Sequence, residues 1–205
     1  MTTSTSERPW RRGFWSLIVT QFQGAFSDNA LKQLAIFVGI GLGLSQARRD
    51  QLVSEATALL TLPFILFSMA GGWLANHYSK RTVTICIKIF EVFVMLLATV
   101  GLALGKLPVV LSCVFFMGVH SALFGPSKYG SLPELLPEKR RSWGNGVLEL
   151  GTFLAIILGT VAGAMLSQEF THQPVWSGVV LIGLAAFGCF TSLGISRVPA
   201  ADPTK

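Results

Sequence analysis

The stretch VTICIKIFEVFVMLLATVGLAL, residues 83–104, decides the fold class of this 205-residue chain. It contains only two charged side chains, Lys88 and Glu91, and it is about as long as a helix needs to cross roughly 30 Å of hydrocarbon. Hydrophobic residues make up 51% of the chain and charged residues 13%, whereas about a quarter of a soluble domain is charged. The sequence therefore predicts an all-α integral membrane protein with six transmembrane helices, the others at residues 14–42, 52–75, 109–126, 144–166 and 175–195.

The positions of Lys and Arg predict how these spans are oriented. Eleven of them fall on one side, in the N-terminus, in the 76–81 and 127–143 connections and in the C-terminal tail. Only Arg48, Arg49 and Lys106 fall on the other side. Because cytoplasmic loops carry the excess of basic residues, both termini are predicted to be cytoplasmic, and residues 196–205 to form a polar tail or linker. The same bias accounts for the net charge of +6, so no nucleic-acid partner is predicted.

The sequence offers no signal for an enzyme, a metal site or a cofactor. Cys86, Cys113 and Cys189 all lie in apolar spans, without a CxxC pair or a Cys/His cluster, so neither a disulfide nor a zinc site is predicted. A glycine-rich phosphate loop, a Gly-x-Ser-x-Gly elbow and a His-Glu-x-x-His motif are also missing. His120 lacks the His-x4-Asp pattern of a glycerolipid acyltransferase, because Gly125 occupies the acidic position. We expect no catalytic residue.

The first apolar run is interrupted by polar residues at 21–32, QFQGAFSDNALK. On a helix, Asp28 and Lys32 are four residues apart and lie on one face, which Gln21 extends. Ionisable side chains at membrane depth are costly and normally face a bundle interior or a watery cavity. Two interpretations remain open here: a site that contacts a polar ligand, and an ion pair that only fastens one helix to another.

Three other polar side chains inside spans are interpreted as structural. Lys88 and Glu91, three residues apart in the third span, are expected to pair with each other or to reach the inner interface. His120, in the fourth span, has no metal-ligating partner at helical spacing. We therefore expect a packed, hydrogen-bonded histidine rather than a ligand or a proton relay.

The connection between the second and third spans has the pattern of a conformational loop. Residues 70–81, AGGWLANHYSKR, place Gly71 and Gly72 at a helix end, where small residues permit close packing, and Lys80 and Arg81 at the inner surface. The stretch resembles the loop signature of the major facilitator superfamily, roughly Gly-x-Leu-Ala-Asp-Arg-x-Gly-Arg-Arg. It departs from the signature at Asn76, which replaces the usual acid, at His77 and at Ser79. These departures argue against the charged latch of the superfamily and leave an amide latch open.

Two further segments resemble the lysophospholipid transporter family within that superfamily. Residues 26–32, FSDNALK, are similar to its first-helix motif, and residues 124–137, FGPSKYGSLPELLP, with 145–153, NGVLELGTF, are similar to its segment joining helices four and five. The resemblance implies the N-terminal six-helix half of a major facilitator fold, built from 3+3 inverted repeats, in the bacterial inner membrane. It also implies transport of lysophosphatidylethanolamine and lysophosphatidylglycerol to the cytoplasmic leaflet, where an acyltransferase–acyl-ligase system re-acylates them.

The same resemblance implies which residues line the path of the headgroup: Asp28, Asn29, Lys32, Lys128, Tyr129, Asn145 and Glu149. Lys128 is a compact, strongly hydrated charge that suits a phosphate at the inner interface, although an ordinary snorkelling lysine would have the same position. Tyr129 is placed to hydrogen-bond the same headgroup. Glu149 is expected to meet an ethanolamine ammonium or to pair with Lys32, with simple helix docking as the alternative.

A superfamily member usually has two six-helix halves, with the substrate at their interface. The resemblance therefore implies a second unit, either a C-terminal half or another copy of this chain, and we expect this chain alone not to transport. The predicted partners are this unit, the lysophospholipid and the membrane lipids. Two other functions stay open at this stage: a membrane anchor or scaffold for a lipid-acylating enzyme, and a major facilitator transporter of another small molecule.

Overall fold

A computed structural model describes residues 9–196, which form six long helices and one short 3-10 turn. The predicted tail at 196–205 lies outside the described residues beyond Ser196. The 3-10 turn, Glu138–Arg140, comes directly before the fifth helix. The helices are α1 (Pro9–Gly41), α2 (Gln46–His77), α3 (Lys80–Ala103), α4 (Leu107–Leu135), α5 (Arg141–Glu169) and α6 (Val175–Ser192).

Within the described residues, α2 to α6 are each long and apolar enough to cross a membrane. Helix α1 is not among them, because the polar residues in its middle lower its mean hydropathy. Its 33 residues nevertheless extend about 50 Å at 1.5 Å per residue, more than the thickness of the hydrocarbon core. It also packs against α4, α5 and α6, so its polar residues lie inside the bundle.

Helix α4 extends further than the sequence analysis predicted. The segment 127–143 was predicted to be a polar connector, but α4 continues to Leu135 with Pro126 and Pro133 inside it. Leu135 is buried in an apolar cluster that includes Phe14 of α1. Burial of that face outweighs the backbone hydrogen bond that each proline removes. The side chains that follow Pro126 are consequently held on a helix.

The six helices pack as two related triplets. The largest helix–helix interfaces join α1 with α5, α2 with α4, α3 with α4, α3 with α6, α1 with α4 and α1 with α6. Exchanging α1, α2 and α3 for α4, α5 and α6 converts this set of interfaces into itself. Three crossings separate the triplets, so the second triplet runs in the opposite direction to the first. This is the relation expected of 3+3 inverted repeats, as predicted.

Glycines permit the closest helix contacts in the bundle. Gly159 and Gly163 of α5 lie directly against backbone carbonyls of α1, including that of Ala30. Gly71 of α2 lies against α4, where an added Cβ would come within 2.9 Å of the Ala122 carbonyl oxygen. Close approach of this kind strengthens van der Waals packing between helices in lipid. These contacts fix the spacing of α1, α2, α4 and α5, which surround the main cavity.

A polar layer separates two apolar clusters in the bundle. On α3, Ile87 belongs to the cluster that also contains Phe14, and Val94 belongs to the other cluster. Lys88 and Glu91 lie between these two residues and are fully buried. Lys88 and Glu91 are therefore near the middle of α3, whereas its other two charged residues, Lys80 and Arg81, lie in the first turn.

Candidate functional site

A cavity of about 690 Å³ opens between α1, α2, α4 and α5, within the size range of small-molecule sites. Five of the predicted site residues line it: Asp28, Asn29, Lys32, Lys128 and Tyr129. Other polar lining residues are Gln21, Thr61, Ser68, Ser121 and Thr152. The apolar part of the wall includes Leu60, Phe64, Phe124 and Ile156. One wall of the cavity thus carries charges of both signs, and another is suited to hydrocarbon.

Asp28 is positioned by α1 and anchored by α4. Its side chain is buried, and Ser121 donates a short hydrogen bond to Oδ2. Oδ1 has no hydrogen-bond partner among the described residues. A buried carboxylate oxygen without a partner is unusual, because buried polar groups are normally hydrogen-bonded. Asp28 lines the cavity, so this oxygen is a buried acceptor next to the cavity that the chain itself does not satisfy.

Lys32 does not form a salt bridge with Asp28, one of the two interpretations that the sequence left open. Its ammonium donates instead to Asn29 Oδ1 at 3.2 Å, and within residues 9–196 no ion pair joins the lysine to a carboxylate. The interpretation of Asp28 and Lys32 as a closed structural pair is therefore wrong. Both charges face the cavity, and Asn29 is held between them by its own bond to the Ala25 carbonyl, 2.9 Å long.

Lys128, Tyr129 and Glu149 form a second polar group at the cavity. The Lys128 ammonium lies 4.8 Å from the centre of the Tyr129 ring, within the range of a cation–π interaction. The Tyr129 hydroxyl donates a 2.6 Å hydrogen bond to Glu149 Oε1. Glu149 therefore pairs with Tyr129 and not with Lys32, and it does not itself line the cavity. Asn145 is exposed on α5 and does not line the cavity.

Sequence reasoning missed several side-chain contacts that the fold brings to this site. Ser121 contacts Asp28 across 93 positions in the sequence, and Gln21 donates to Thr152 Oγ1 at 3.1 Å across 131. Serine and threonine in helices usually bond to the carbonyl four residues earlier, as Thr152 also does with Leu148. No pattern in the sequence distinguishes such a residue from one that contacts a ligand or a second helix.

Behind the cavity lies a sealed cluster, made of Gln23, Lys88, Glu91 and His120, all buried. Lys88 Nζ donates to Glu91 Oε2 and to Gln23 Oε1, each at 2.6 Å. Gln23 Nε2 donates to Glu91 Oε1 at 2.8 Å. His120 Nε2 lies 3.2 Å from Glu91 Oε2, although its alignment falls short of a hydrogen bond. Of the two expectations for Lys88 and Glu91, pairing with each other is the correct one.

The predicted conformational loop is shorter than its sequence pattern suggests. Helix α2 ends at His77 and α3 begins at Lys80, so exposed Asn76 is part of α2. Lys80 forms a short ion pair with Glu134 of α4. Arg81 donates to the Leu193 carbonyl beyond α6 at 2.9 Å. The two basic residues thus tie the first turn of α3 to α4 and α6.

The two glycines of this loop pattern differ in their surroundings. Gly71 packs tightly against α4, whereas an added Cβ at Gly72 would meet nothing within 4 Å.

Among the described residues, no group of His, Cys, Asp or Glu is arranged to hold a metal ion.

Comparison with curated proteins identifies relatives over almost the whole chain. The lysophospholipid transporter LplT of Salmonella heidelberg (strain SL476) is 31% identical over 200 residues. The transporter of the same name from Salmonella typhi gives the same values. Each alignment covers 97% of this chain and 46% of the relative. The chain thus spans about half the length of the curated relatives it matches.

Comparison with solved structures identifies the same fold. A POT family transporter in complex with a thioalcohol-conjugated peptide has a TM-score of 0.70 at 20% identity, covering 94% of this chain and 40% of that one. A peptide transporter POT in complex with sulfate has a TM-score of 0.72 at 14% identity, with the same coverage. At these identities the likeness shows the fold alone.

The family profile agrees with the architecture. Residues 14–205 match the Major Facilitator Superfamily, and the paired helix triplets and central cavity are those of a six-helix half of that fold. With both observations in place, the chain belongs to the Major Facilitator Superfamily.

Proposed function

We propose that this chain forms one wall of a lysophospholipid transport pathway. The observation that carries the proposal is the cavity between α1, α2, α4 and α5, in which charges of both signs lie beside an apolar surface. A lysophospholipid has the same division into a charged headgroup and a single acyl chain. The similarity to proteins named lysophospholipid transporters supports this choice over other amphipathic ligands.

The charges suit a phosphate next to an ammonium or a hydroxyl group. Lys32 and Lys128 line the cavity and supply cationic donors for phosphate oxygens. The free Oδ1 of Asp28 accepts a hydrogen bond from an ethanolamine ammonium or a glycerol hydroxyl. Glu149 contributes to headgroup binding through its hydrogen bond with the Tyr129 hydroxyl. Asn145 is exposed on α5 and lies at the edge of the proposed pathway. Both lysophosphatidylethanolamine and lysophosphatidylglycerol satisfy this arrangement.

The acyl chain is proposed to leave the cavity along its apolar side. Leu60 and Phe64 of α2 and Ile156 of α5 belong to the lining. On the same helices Ile65 is 79% exposed and Phe153 is 62% exposed. Hydrocarbon at these positions contacts either lipid or apolar protein, so a chain that extends from the headgroup stays out of water.

A second six-helix unit is proposed to close the cavity. The cavity is open on one side, and the large apolar side chains of α2 and α5 beside it are exposed. A C-terminal half or a second copy of the chain would cover them, and superfamily members hold substrate between two such units. On this proposal, one segment moves when the two units rotate against each other. It contains Gly71, Gly72, Asn76, Lys80 and Arg81.

We propose a multi-pass protein of the bacterial inner membrane with both termini in the cytoplasm. The excess of Lys and Arg at the ends that carry the α2–α3 and α4–α5 connections supports this orientation. Delivery of lysophospholipid to the cytoplasmic leaflet then calls for an acyl-transferring partner that consumes it. The chain itself acts as a transporter component and not as an enzyme.

The proposal is tested by ligand binding to the purified chain in lipid nanodiscs. Lysophosphatidylglycerol is compared with a monoacylglycerol of the same acyl chain, which lacks the phosphate. We expect the phosphate-bearing lipid to bind more tightly, and Lys128→Ala to weaken it about tenfold or more, since a hydrogen bond to a charged group contributes about 1.5–3 kcal/mol. Lys106→Ala, at the opposite end of α4, is the matched control and leaves both affinities unchanged.

Three outcomes would decide against the proposal, and a fourth would show only that the variant is defective. Equal affinity of the wild-type chain for both lipids would refute headgroup recognition. Equal losses for both lipids in Lys128→Ala would indicate a general defect of the variant. Tight binding of an unrelated small molecule, with no competition from lysophospholipid, would favour a superfamily transporter of another substrate. A chain that binds an acylating enzyme but no lysolipid would be a scaffold.

A further inference from the structure

A second cavity, of about 490 Å³, lies between the first turns of α1 and the end of α6. We call it the α1–α6 groove. Its α1 side consists of Arg12, Trp15, Ser16 and Val19. Its α6 side consists of Phe187, Phe190 and Thr191, with Leu193 and Gly194 directly after the helix. On both sides the residues follow helical spacing, so each helix presents one face to the groove.

The groove and the main cavity lie on opposite faces of α1. Arg12 of the groove and Gln21 of the main cavity are nine residues apart, which is about two and a half helical turns. No described residue lines both cavities. At the groove, Phe187 is 52% exposed and Phe190 is 74% exposed. The groove therefore faces the lipid around the bundle and not the proposed transport pathway.

Close contacts between α1 and α6 fix the shape of the groove. Gly194 lies directly against Ser16 Oγ, and the hydroxyl oxygens of Thr20 and Thr191 are 3.0 Å apart. These two pairs make the helices antiparallel neighbours, so the beginning of α1 meets the end of α6. The groove is thus formed by the packing of the bundle itself.

The chemistry of the groove changes with depth in the membrane. Arg12 provides a guanidinium group at the outer end, where α1 begins. Ser16 and Thr191 provide hydroxyl groups about one turn further in, and Val19 and Phe187 provide apolar surface beyond them. A diacyl phospholipid has the same order of groups, from its phosphate through the glycerol esters to the acyl chains.

The charges around the groove favour an anionic headgroup. Arg12 is the only charged side chain among the described residues that line it, and no ion pair joins this arginine to a carboxylate within residues 9–196. Nearby, Arg11 and Arg140 lie 5.6 and 5.2 Å from the centre of the Trp10 ring. Basic pockets between transmembrane helices bind anionic lipid headgroups. The ammonium of a zwitterionic lipid would find no acid in the groove.

We propose that the α1–α6 groove binds one anionic diacyl phospholipid, such as phosphatidylglycerol, as a resident lipid that is not transported. The Arg12 guanidinium donates to the phosphate, and the hydroxyl groups of Ser16 and Thr191 face the glycerol esters. The acyl chains run along Val19 and Phe187. The position of the lipid in the cytoplasmic leaflet rests on the orientation given under the proposed function, whereas the binding site itself does not.

The site is tested by native mass spectrometry of the whole chain, titrated in detergent with phosphatidylglycerol or with phosphatidylethanolamine of the same acyl chains. We expect phosphatidylglycerol to bind more tightly. Arg12→Ala should weaken it about fivefold, because one basic residue near a lipid surface contributes about that factor, and Arg12→Lys should keep most of the affinity. Arg11→Ala is the matched control, since it removes the same charge from the neighbouring position outside the groove.

A second pair of variants locates the acyl chains. Val19→Trp fills the apolar part of the groove, and we expect it to weaken phosphatidylglycerol binding without removing a charge. Val180→Trp is its control, because Val180 is on α6 outside the groove and has a similar exposure, 40% against 37% for Val19. Lys128→Ala, in the main cavity, is expected to leave phosphatidylglycerol binding unchanged.

Thermal unfolding gives a measurement that does not depend on mass spectrometry. A ligand that binds only the folded state stabilises it by mass action. We expect the chain to unfold at a higher temperature with phosphatidylglycerol than with phosphatidylethanolamine, as followed by circular dichroism. Arg12→Ala should abolish this difference, and Arg11→Ala should keep it.

Several results would overturn the proposal. Equal affinity of the wild-type chain for the two lipids would refute recognition of an anionic headgroup. Equal losses in Arg11→Ala and Arg12→Ala would show that only the general surface charge attracts the lipid. Loss of phosphatidylglycerol binding in Lys128→Ala would place the lipid in the main cavity. In contrast, Arg12-dependent binding of phosphatidylglycerol without any binding of lysophospholipid would support the groove and refute the proposed function.

Discussion

The cavity and the sealed cluster use the same residue types in opposite ways. In the cluster, Lys88 and Glu91 bond to each other and to Gln23, with distances of 2.6 to 2.8 Å. In the cavity, Lys32 bonds only to a neutral amide and Asp28 keeps one oxygen without a partner. The two regions are adjacent, and His120 and Ser121 lie between them.

The difference shows how the bundle separates stability from ligand recognition. A buried charge that loses its partner is strongly destabilising. The ion pair of Lys88 and Glu91 therefore has to stay intact for the bundle to remain stable. The cavity charges Lys32 and Asp28 are not bound to each other, so a ligand can pair with them without breaking an ion pair of the protein. Each of the following predictions compares one variant with a variant in the other region or at a matched position.

The largest expected difference between the two regions appears when the acid of each, Glu91 or Asp28, is replaced by its amide. Glu91→Gln leaves the Lys88 ammonium buried without an anion, and we expect it to lower the free energy of unfolding by about 3–5 kcal/mol. Asp28→Asn keeps an acceptor for Ser121 and removes a poorly paired charge, so its effect stays within about 1 kcal/mol. Titration with a denaturing detergent, followed by circular dichroism, measures both variants.

A double variant separates the contribution of the two charges to stability from the contribution of side-chain packing in the cluster. Lys88→Met combined with Glu91→Leu removes both charges, so it is expected to be less destabilising than Glu91→Gln alone. Equal losses in Glu91→Gln and Asp28→Asn would contradict the distinction between the two regions.

The next largest effect concerns the wall that α2 contributes to the cavity. Gly71→Ala places a methyl group 2.9 Å from the Ala122 carbonyl oxygen, and we expect a loss of about 1–3 kcal/mol in the free energy of unfolding from overpacking. Gly72→Ala, one residue further along, points into open space and is expected to be neutral or slightly stabilising, since alanine favours helix. The same detergent titration compares them, and similar losses in both would refute close packing at Gly71.

A smaller effect is expected when Glu149 loses its charge. Glu149→Gln weakens the polarisation of the Tyr129 hydroxyl and removes a negative charge from the cavity rim. We expect it to weaken lysophosphatidylethanolamine binding by about three- to tenfold and lysophosphatidylglycerol binding less, because only the former carries an ammonium group. Binding in nanodiscs measures the ratio, and Glu169→Gln, exposed at the far end of α5, is the control. Equal losses for both lipids would exclude a role in distinguishing headgroups.

The smallest effect is expected at the exposed ion pair of α2. Arg48 and Glu55 are 2.7 Å apart, with side chains 50% and 42% exposed. Surface pairs contribute about 0–1 kcal/mol, so Glu55→Gln should leave the free energy of unfolding nearly unchanged and lose its small effect at high salt. A loss as large as that of Glu91→Gln would show that burial is not what distinguishes the two pairs.

The sequence predicted the fold class correctly because the apolar runs are long and nearly free of charge. It misjudged the region after Pro126, where α4 continues through two prolines to Leu135. Proline signals a local cost in backbone hydrogen bonding, while the compensating burial against α1 comes from residues more than a hundred positions away. Local sequence carries only the first of these two contributions.

For the site, the sequence singled out the charged residues of the cavity but not their partners. Asp28 and Lys32 stand out because a charge inside an apolar run is rare, and Lys128 stands out because residues 124–137 resemble a segment of the lysophospholipid transporter family. Their contacts with Ser121, Asn29 and Tyr129 depend on how helices rotate and approach each other. Spacing along one helix suggested a pair between Asp28 and Lys32 that the structure does not contain.

By itself, the sequence determined that this protein crosses a membrane as a helical bundle, because hydrophobicity and helix length are local properties. It also determined which charges had to be enclosed, since each was flanked by apolar residues. Only the tertiary structure decided which of them became a sealed ion pair and which face the cavity. That outcome depends on close contacts between helices far apart in the chain, such as α5 on α1 and α4 on α2, which set the space around every buried side chain.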